Sequence, residues 1–422
     1  MLTAVSTAAS TDSQKRAIRY LPIDREETYR EWREMFDRDP LANPLQHPDY
    51  VLEELRRVAA KSRMESTVIR YGTDSECEGI APLIPKTVRT DRVGGFYPAW
   101  SLNGLLLPAG AFLTVNSSGE TQAQLLKAAV DFCASRGADF LLIEDLDEQS
   151  LLNTAIKAER KPGFDLFVAR DPQSRWRIQL PDNEAAYWGS FSGKTRQSIR
   201  ARTRKLGETH LECITDAAQV PAFLAAAHEI SKHSWQTRQF GLRIRNDEAE
   251  LRCMAVLAQH GFLRSYLLSK DGIPAAFAFC HQHAGCFRYE EVAYHSRFND
   301  HSPGEALLQK MIEDLYQRNL PQVFDFGGGD AEYKRRFSNQ QSRSQTVWLV
   351  PSTVRARVSL AYLRSCRAVR TTGREVVRLS GLATKARQWS RYGALSAIAK
   401  MNPFSNIPAA EKPLESDSGK GR

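Results

Sequence analysis

The chain has no C-x-x-C pair, no long apolar run and no dense cysteine framework. Seven cysteines lie scattered over 422 residues, an odd count that argues against a disulfide scaffold or a zinc ribbon. No apolar stretch approaches the roughly 20 residues of a membrane-spanning helix. The opening residues lack a basic segment followed by continuous apolar sequence, so a secretory signal is not expected and the chain reads as cytoplasmic. What is present is ordinary for folded protein. Apolar residues make up 42% and charged residues 25%, which excludes wholesale disorder, and the length fits two or three domains.

The net charge of +9 is unevenly placed. Of 58 basic and 49 acidic residues, eleven basic residues and only Glu375 lie within 352–400, so the rest of the chain is close to neutral at −1. Any surface reading of the high isoelectric point therefore concerns the C-terminal tail. Residues 352–400 mix arginines with apolar residues at helical intervals. They read either as a helical extension on the body, partly disordered, or as a peripheral contact for an anionic membrane at its inner face. A specific nucleic-acid partner is not expected.

The pattern divides the chain into a disordered segment at 1–14, a first α/β unit at 15–170, a second at 171–350 and a basic, partly helical tail at 351–422. In the first unit, helices are predicted at 24–38, 48–61 and Thr121–Arg136, the last closed by Gly137. Strands are predicted at Glu65–Tyr71, Gly79–Val88 and Phe140–Ile143. The second half repeats the order. Strands are predicted at Trp176–Leu180, Leu263–Leu268, Ile273–His281, Cys286–Tyr294, Val323–Phe326 and Gln345–Val350. Helices are predicted at 184–206, 217–233, Gly304–Arg318 and Ala331–Phe337. Lys270-Asp271-Gly272 supplies a hairpin turn. The recurrence points to a duplicated mixed-sheet α/β (α+β) unit, and Pro351 marks the end of its second copy.

The most informative stretch runs from Cys286 to Phe337. A strand leads into SRFNDHSPG and then a helix. Ser302 suits the N-cap, Pro303 the first helical position, and Glu305 the far side of a capping box. A helix start fed by a strand is also a natural phosphate cradle, because its free N–H groups and dipole point outward.

His301-Ser302-Pro303-Gly304-Glu305-Ala306 resembles the Q/R-x-x-G-x-G/A frame of the GNAT acyltransferases, with His in the first place. VFDFGGGDAEYKRRF resembles a segment of the Fem-type transferases and of the CelD/BcsL-like acetyltransferases, which carry two GNAT-like units in tandem. TRQSIRARTRKLG and HEISKHSW resemble two further helices of that group, and the likeness covers about residues 20–350. It implies two tandem GNAT-like units and acyl transfer from acetyl-coenzyme A or another acyl-coenzyme A, without a metal. The acceptor it implies is a small molecule or a saccharide, as in exopolysaccharide or cellulose production. Alternatives are a Fem-like transferase using aminoacyl-tRNA and a degenerate pair acting as a binding module. The resemblance assigns His301, Ser302, Gly304 and Ala306 to the coenzyme pyrophosphate.

Chemical candidates follow from these stretches. Acyl transfer to an amine needs a base, an acid and a stabiliser of the carbonyl oxygen. Glu290 and Glu291 are candidate bases. As neighbours on a strand they should face opposite sides, so at most one is expected in a cleft. Tyr333 is a candidate acid, and Lys334 a candidate cation near the reacting carbonyl. Each also has a plainer reading, as a solvated carboxylate, a packed ring or a surface lysine. Lys194, Arg196 and Arg200 belong to a run of six basic residues in 194–205 that reads as a solvated face or an anion site, and Trp235 is a candidate for the acceptor cleft. Cys280, His281, His283 and Cys286 mimic metal spacing. Adjacent strand residues point apart, however, so no metal is assigned there.

Overall fold

Among the described residues, each half of the chain follows the same order of ten main elements. A computed structural model describes residues 15–59, 64–90, 99–115, 118–159, 163–234, 237 and 244–379. The expectations for 1–14, Trp235 and 380–422 lie outside these residues. The first half contains β1 (Ala17–Leu21), α1 (Glu26–Arg38), α2 (Pro48–Ala59), β2 (Thr67–Gly72), β3 (Cys77–Arg89) and β4 (Ser101–Leu107). The two-residue β5 (Leu113–Thr114) comes next, then α3 (Gly119–Ser135), β6 (Leu141–Asp147), α4 (Leu151–Ala158) and β7 (Phe164–Gln179). Two helices, α5 (Glu184–Gly189) and α6 (Gly193–Leu206), make the connection. The second half contains β8 (Thr209–Ile214), α7 (Val220–His233), α8 (Glu248–Gln259), β9 (Ser265–Lys270), β10 (Ile273–His283) and β11 (Cys286–Tyr294). It continues with α9 (Pro303–Gln317), β12 (Val323–Gly328), α10 (Glu332–Phe337) and β13 (Gln340–Pro351). Leaving β5 aside, both halves read β-α-α-β-β-β-α-β-α-β.

One sheet runs through both halves in the order β1-β2-β3-β4-β6-β13-β7-β12-β11-β10-β9-β8. The order is a palindrome of the duplication with one exchange at its centre. The last strand of the first half, β7, pairs with β12 of the second, and β13 pairs with β6 of the first. β7 and β13 then pair antiparallel with each other from Gln340↔Arg177 to Pro351↔Phe164. Each half completes the other's sheet, and the boundary expected at 170/171 falls inside β7. Pro172 sits in that strand where the register slips between Ser344↔Gln173 and Thr346↔Arg170, a bulge that spares the ladder a missing N–H.

Each half has a core on one long helix. Leu125, Leu126, Ala129 and Cys133 of α3 pack on Ile69, Leu83, Leu105, Leu141 and Ile143. Ala306, Leu307, Met311, Ile312 and Leu315 of α9 pack on Tyr266, Ala276, Phe287 and Phe324. Gly137 closes α3 at φ +65° as expected, a conformation that glycine adopts without a Cβ clash. Asp271 and Gly272, at φ +51° and +74°, make the expected hairpin turn. The helix expected over 184–206 is instead two, because Ser192 restarts it by accepting a hydrogen bond from the Thr195 N–H at 3.2 Å.

The tail begins as part of the body. Helix α11 (Val354–Leu379) buries Ala356, Leu360 and Leu363 against Trp348, Phe140, Val88 and Leu102. Ser359 Oγ donates to the buried Asp139 at 2.9 Å. Among the described residues no helix is long and apolar enough to cross a membrane.

Candidate active site

β11 and β12 run parallel but pair only at Cys286↔Val323, Phe287↔Phe324 and Arg288↔Asp325. Beyond Arg288 the strands part. The equivalent pair of the first half, β4 and β6, is instead joined at the end of β4, from Leu105↔Leu141 to Leu107↔Ile143. The parting in the second half opens a cleft of about 620 Å³ lined from both halves. Tyr289, Glu290 and Glu291 come from β11, Gly327 and Gly328 from β12, and Tyr333 and Lys334 from α10. The first half adds Lys86 of β3, Glu144 and Asp145 of β6, and Arg170 and Gln173 of β7.

Both Glu290 and Glu291 line this cleft, against the expectation that only one could. The register between β10 and β11 slips from Phe279↔Glu291 to Cys280↔Tyr289, leaving Glu290 as the extra residue of a bulge. A bulge re-aims one side chain, so strand alternation fails at this point. Glu290 Oε1 lies 2.9 Å from His281 Nε2. His281 is fully buried, and its Nδ1 has no hydrogen-bond partner among the described residues. That arrangement suits the tautomer with the proton on Nε2, donated to the carboxylate. Desolvation pushes the Glu290 carboxyl up, but the His281 hydrogen bond, with Arg288, outweighs it and leaves it lowered. Cys280, next to His281, turns the other way into the core under α9.

Tyr333 packs its ring edge-on to Phe326, with centroids 6.1 Å apart, and its hydroxyl is coupled by a hydrogen bond to Tyr289. Burial raises both hydroxyls well above the usual phenol value, so both stay protonated and can donate. Lys334 Nζ donates to the carbonyls of Phe326 at 2.8 Å and Gly328 at 3.2 Å, tying α10 to the glycine turn. Gly327 and Gly329 have φ of +64° and +106°. A Cβ at Gly328 would sit 2.7 Å from Asp145 Oδ1, so glycine is what lets β12 approach the first half.

A buried charge network fixes that approach. Arg175 of β7 reaches Asp145 at 2.6 Å and Asp325 of β12 at 2.7 Å. Arg177 reaches Asp325 at 3.1 Å and also pairs with Asp147. Burial would raise the Asp325 carboxyl, but Arg175, Arg177 and Arg288 hold it well below the usual carboxylate range. The network sits where the exchanged strands cross and positions the floor of the cleft.

His301, Ser302, Gly304 and Ala306 do not line the cleft, but lie beyond the far end of β11. Ser302 is left-handed at φ +51° and makes no side-chain cap, so the expected capping box does not form. Glu305 instead pairs with Arg202 of α6 and, at 2.8 Å, with Arg336 of α10. Ala306 is fully buried and its N–H is bonded to the Ser302 carbonyl at 3.2 Å, so it offers nothing to a ligand. A Cβ at Gly304 would touch only the Tyr294 ring, at 3.5 Å, which leaves the helix start open. Two guanidinium groups at an open helix start suit a pyrophosphate, once they release Glu305. Arg196 and Arg200, with Arg204, line a separate open depression between α6 and Gln309 of α9, while Lys194 is exposed at the start of α6.

The residues that sequence reasoning missed are the cleft's first-half wall and His281. No local signal marks Lys86, Arg170 or Gln173, since strand exchange alone brings them to β11. His281 was visible only as part of an apparent metal pattern.

Residues 193–335 match the family model described as an acetyltransferase (GNAT) domain. Among solved structures, the chain is similar to the crystal structure of FemX, with TM-score 0.54 and 14% identity over 76% of this chain and 96% of that one. L-PGS from Bacillus licheniformis aligns with TM-score 0.47 and 12% identity over 83% of this chain and 98% of that one. A tandem GNAT protein from the clavulanic acid biosynthesis pathway aligns with TM-score 0.43 and 12% identity over 80% and 99%. No curated protein sequence matches the chain. Residues 193–335 thus resemble a GNAT acetyltransferase domain, in a chain that shares the fold of FemX.

Proposed function

We propose that this protein is an acyltransferase. It moves an acyl group, acetyl in the first instance, from an acyl-coenzyme A thioester to an amine or hydroxyl of a small or saccharide acceptor. The observation that carries this reading is the parting of β11 from β12, with Glu290 bulged into a cleft that Tyr333 and Lys334 also line.

Glu290 removes the proton from the acceptor nitrogen or oxygen as it attacks the thioester carbonyl. The acceptor–carbon bond forms, the carbon–sulfur bond breaks, and Tyr333 gives its proton to the departing sulfur. Lys334 favours the charge that develops on the carbonyl oxygen. Coenzyme A supplies the activated carbonyl. The open start of α9 at Gly304, with Arg202 and Arg336, receives its pyrophosphate. The first-half wall of Lys86, Glu144, Arg170 and Gln173 receives the acceptor.

The likeness of the motif to the CelD/BcsL-like acetyltransferases supports an acceptor among saccharide precursors of exopolysaccharide. On the same reading the tail brings the protein to an anionic membrane surface. A second reading, transfer from an aminoacyl-tRNA, is favoured by the exposed Arg200 and Arg204 beside Arg196, a face suited to a phosphate backbone. Calorimetry on the full chain with acetyl-coenzyme A, longer acyl-coenzymes and aminoacyl-tRNA separates them. Saturable acyl-coenzyme A binding supports the first reading. Binding of aminoacyl-tRNA alone moves the assignment to the second, and coenzyme binding without transfer to any acceptor leaves a binding module.

A further inference from the structure

His47, Asp49 and His260 come together from opposite halves of the chain. His47 follows the turn Pro44–Gln46 and Asp49 lies in the first turn of α2, while His260 caps the C-terminus of α8. His260 Nε2 is 2.7 Å from Asp49 Oδ2, and His47 Nδ1 is 3.9 Å from the same oxygen. The two imidazole rings lie with centroids 4.1 Å apart, their planes tilted by 44°. One potential ligand atom from each of the three side chains lies within 4.8 Å of the other two.

We propose that these three side chains bind a divalent transition-metal ion of the zinc class, which staples the two halves together outside the cleft. Two imidazole nitrogens and one carboxylate oxygen form a donor set for zinc or its neighbours. Magnesium and calcium prefer six or more oxygens. The geometry is near what such an ion needs. Ligand atoms around a tetrahedral zinc lie roughly 3.3 Å apart. The His260–Asp49 contact must open, and the His47–Asp49 contact close, by only about half an ångström each, within the reach of side-chain rotation.

The surroundings support the same use. The Tyr29 hydroxyl donates to Asp49 Oδ1 at 2.8 Å, which turns Oδ2 toward the two rings as an outer-shell partner would. The Asp49 backbone N–H points at His47 Nδ1 across 3.3 Å, so this nitrogen carries a lone pair, not a proton. His47 is buried, whereas the Asp49 and His260 side chains are 32% and 21% exposed, so solvent can supply a further ligand and an entry path. The neighbouring contacts between α2 and α8 are ionic, with Arg252 to Glu53 at 3.0 Å and Arg57 to Glu250 at 3.5 Å. A metal would thus add a link to an interface that holds these ion pairs and the apolar packing of Leu45 and Tyr50. No residue of the trio lines the cleft, so the ion is structural.

The test is zinc titration of chelator-treated full-length protein by calorimetry, with cobalt(II) as an optical probe of the site. The expected result is one equivalent of zinc bound, a visible cobalt absorption of tetrahedral strength and a melting temperature several degrees higher with zinc. His260→Gln and Asp49→Asn, both at partly exposed positions, should each weaken binding by about tenfold or more while far-UV circular dichroism stays unchanged. A folded parent that binds no zinc at 100-fold molar excess overturns the proposal. So does zinc binding that both variants leave intact.

Discussion

His281 Nε2 stands 2.9 Å from Glu290 Oε1 and so ties the bulged carboxylate of β11 to the neighbouring strand β10. The first prediction follows from that contact. The interaction holds the Glu290 carboxyl below its ordinary value, so Glu290 is ionised at neutral pH. His281→Phe removes the donor, and the Glu290 carboxyl should rise. The acid limb of kcat/KM against pH should then move to higher pH. His281→Gln, which keeps an N–H, should leave the limb nearer the parent's. An unmoved limb in His281→Phe would show that the histidine does not position the base.

Asp325 carries the second prediction. Its carboxylate is 4% exposed and shared by Arg175 and Arg177. Asp325→Asn leaves buried guanidinium charge uncompensated and should cost about 3–5 kcal/mol at pH 7. Its folded-state value is depressed, so its stabilisation is complete above the unfolded carboxylate value near ~4 and is lost as pH falls below that. Urea unfolding should show a wide gap between parent and variant at pH 7 that narrows by pH 3. A gap independent of pH would remove the electrostatic account.

The start of α9 is tested by two substitutions of opposite sign. Gly304→Glu places a charged side chain at an open helix start without a core clash, and coenzyme A binding should weaken at least tenfold in a folded protein. Glu305→Gln frees Arg202 and Arg336 from a competing carboxylate, and binding should tighten. If calorimetry finds both affinities equal to the parent's, the pyrophosphate does not sit there.

The duplication was legible in the sequence because its marks are local. The α9 pattern, Gly137 and Asp271-Gly272 each act over a few residues, and all appear where expected. Three features were not legible, each for a physical reason. β7 lies between the two halves and is half-buried on both faces, so it shows no clean alternation, and Pro172 disguises it further. The bulge at Glu290 depends on the partner strand, not on its own residues. The capping box at Ser302 was locally plausible, but Arg202 and Arg336 from two other helices compete for Glu305. Tertiary partners decided each case.

The tail gives a fourth prediction. Because Ala356, Leu360 and Leu363 are core, a chain ending at Pro351 should lose cooperative unfolding, whereas one ending at Leu379 should keep it. If the basic tail contacts membranes, full-length protein should sediment with anionic vesicles at low salt and be released as salt rises. Sedimentation that ignores both lipid charge and salt would leave the tail as an extension of the body.

The central claim is that the cleft between β11 and β12 transfers an acyl group with Glu290 as base. The most direct measurement is acceptor-dependent release of free thiol from acetyl-coenzyme A, over a panel of amino sugars and small amines, for parent and Glu290→Gln. The account predicts release by the parent and a loss of about 10²–10⁴ in the variant, the usual scale for a positioned general base, with donor affinity unchanged. Turnover by Glu290→Gln at the parent's rate would contradict it.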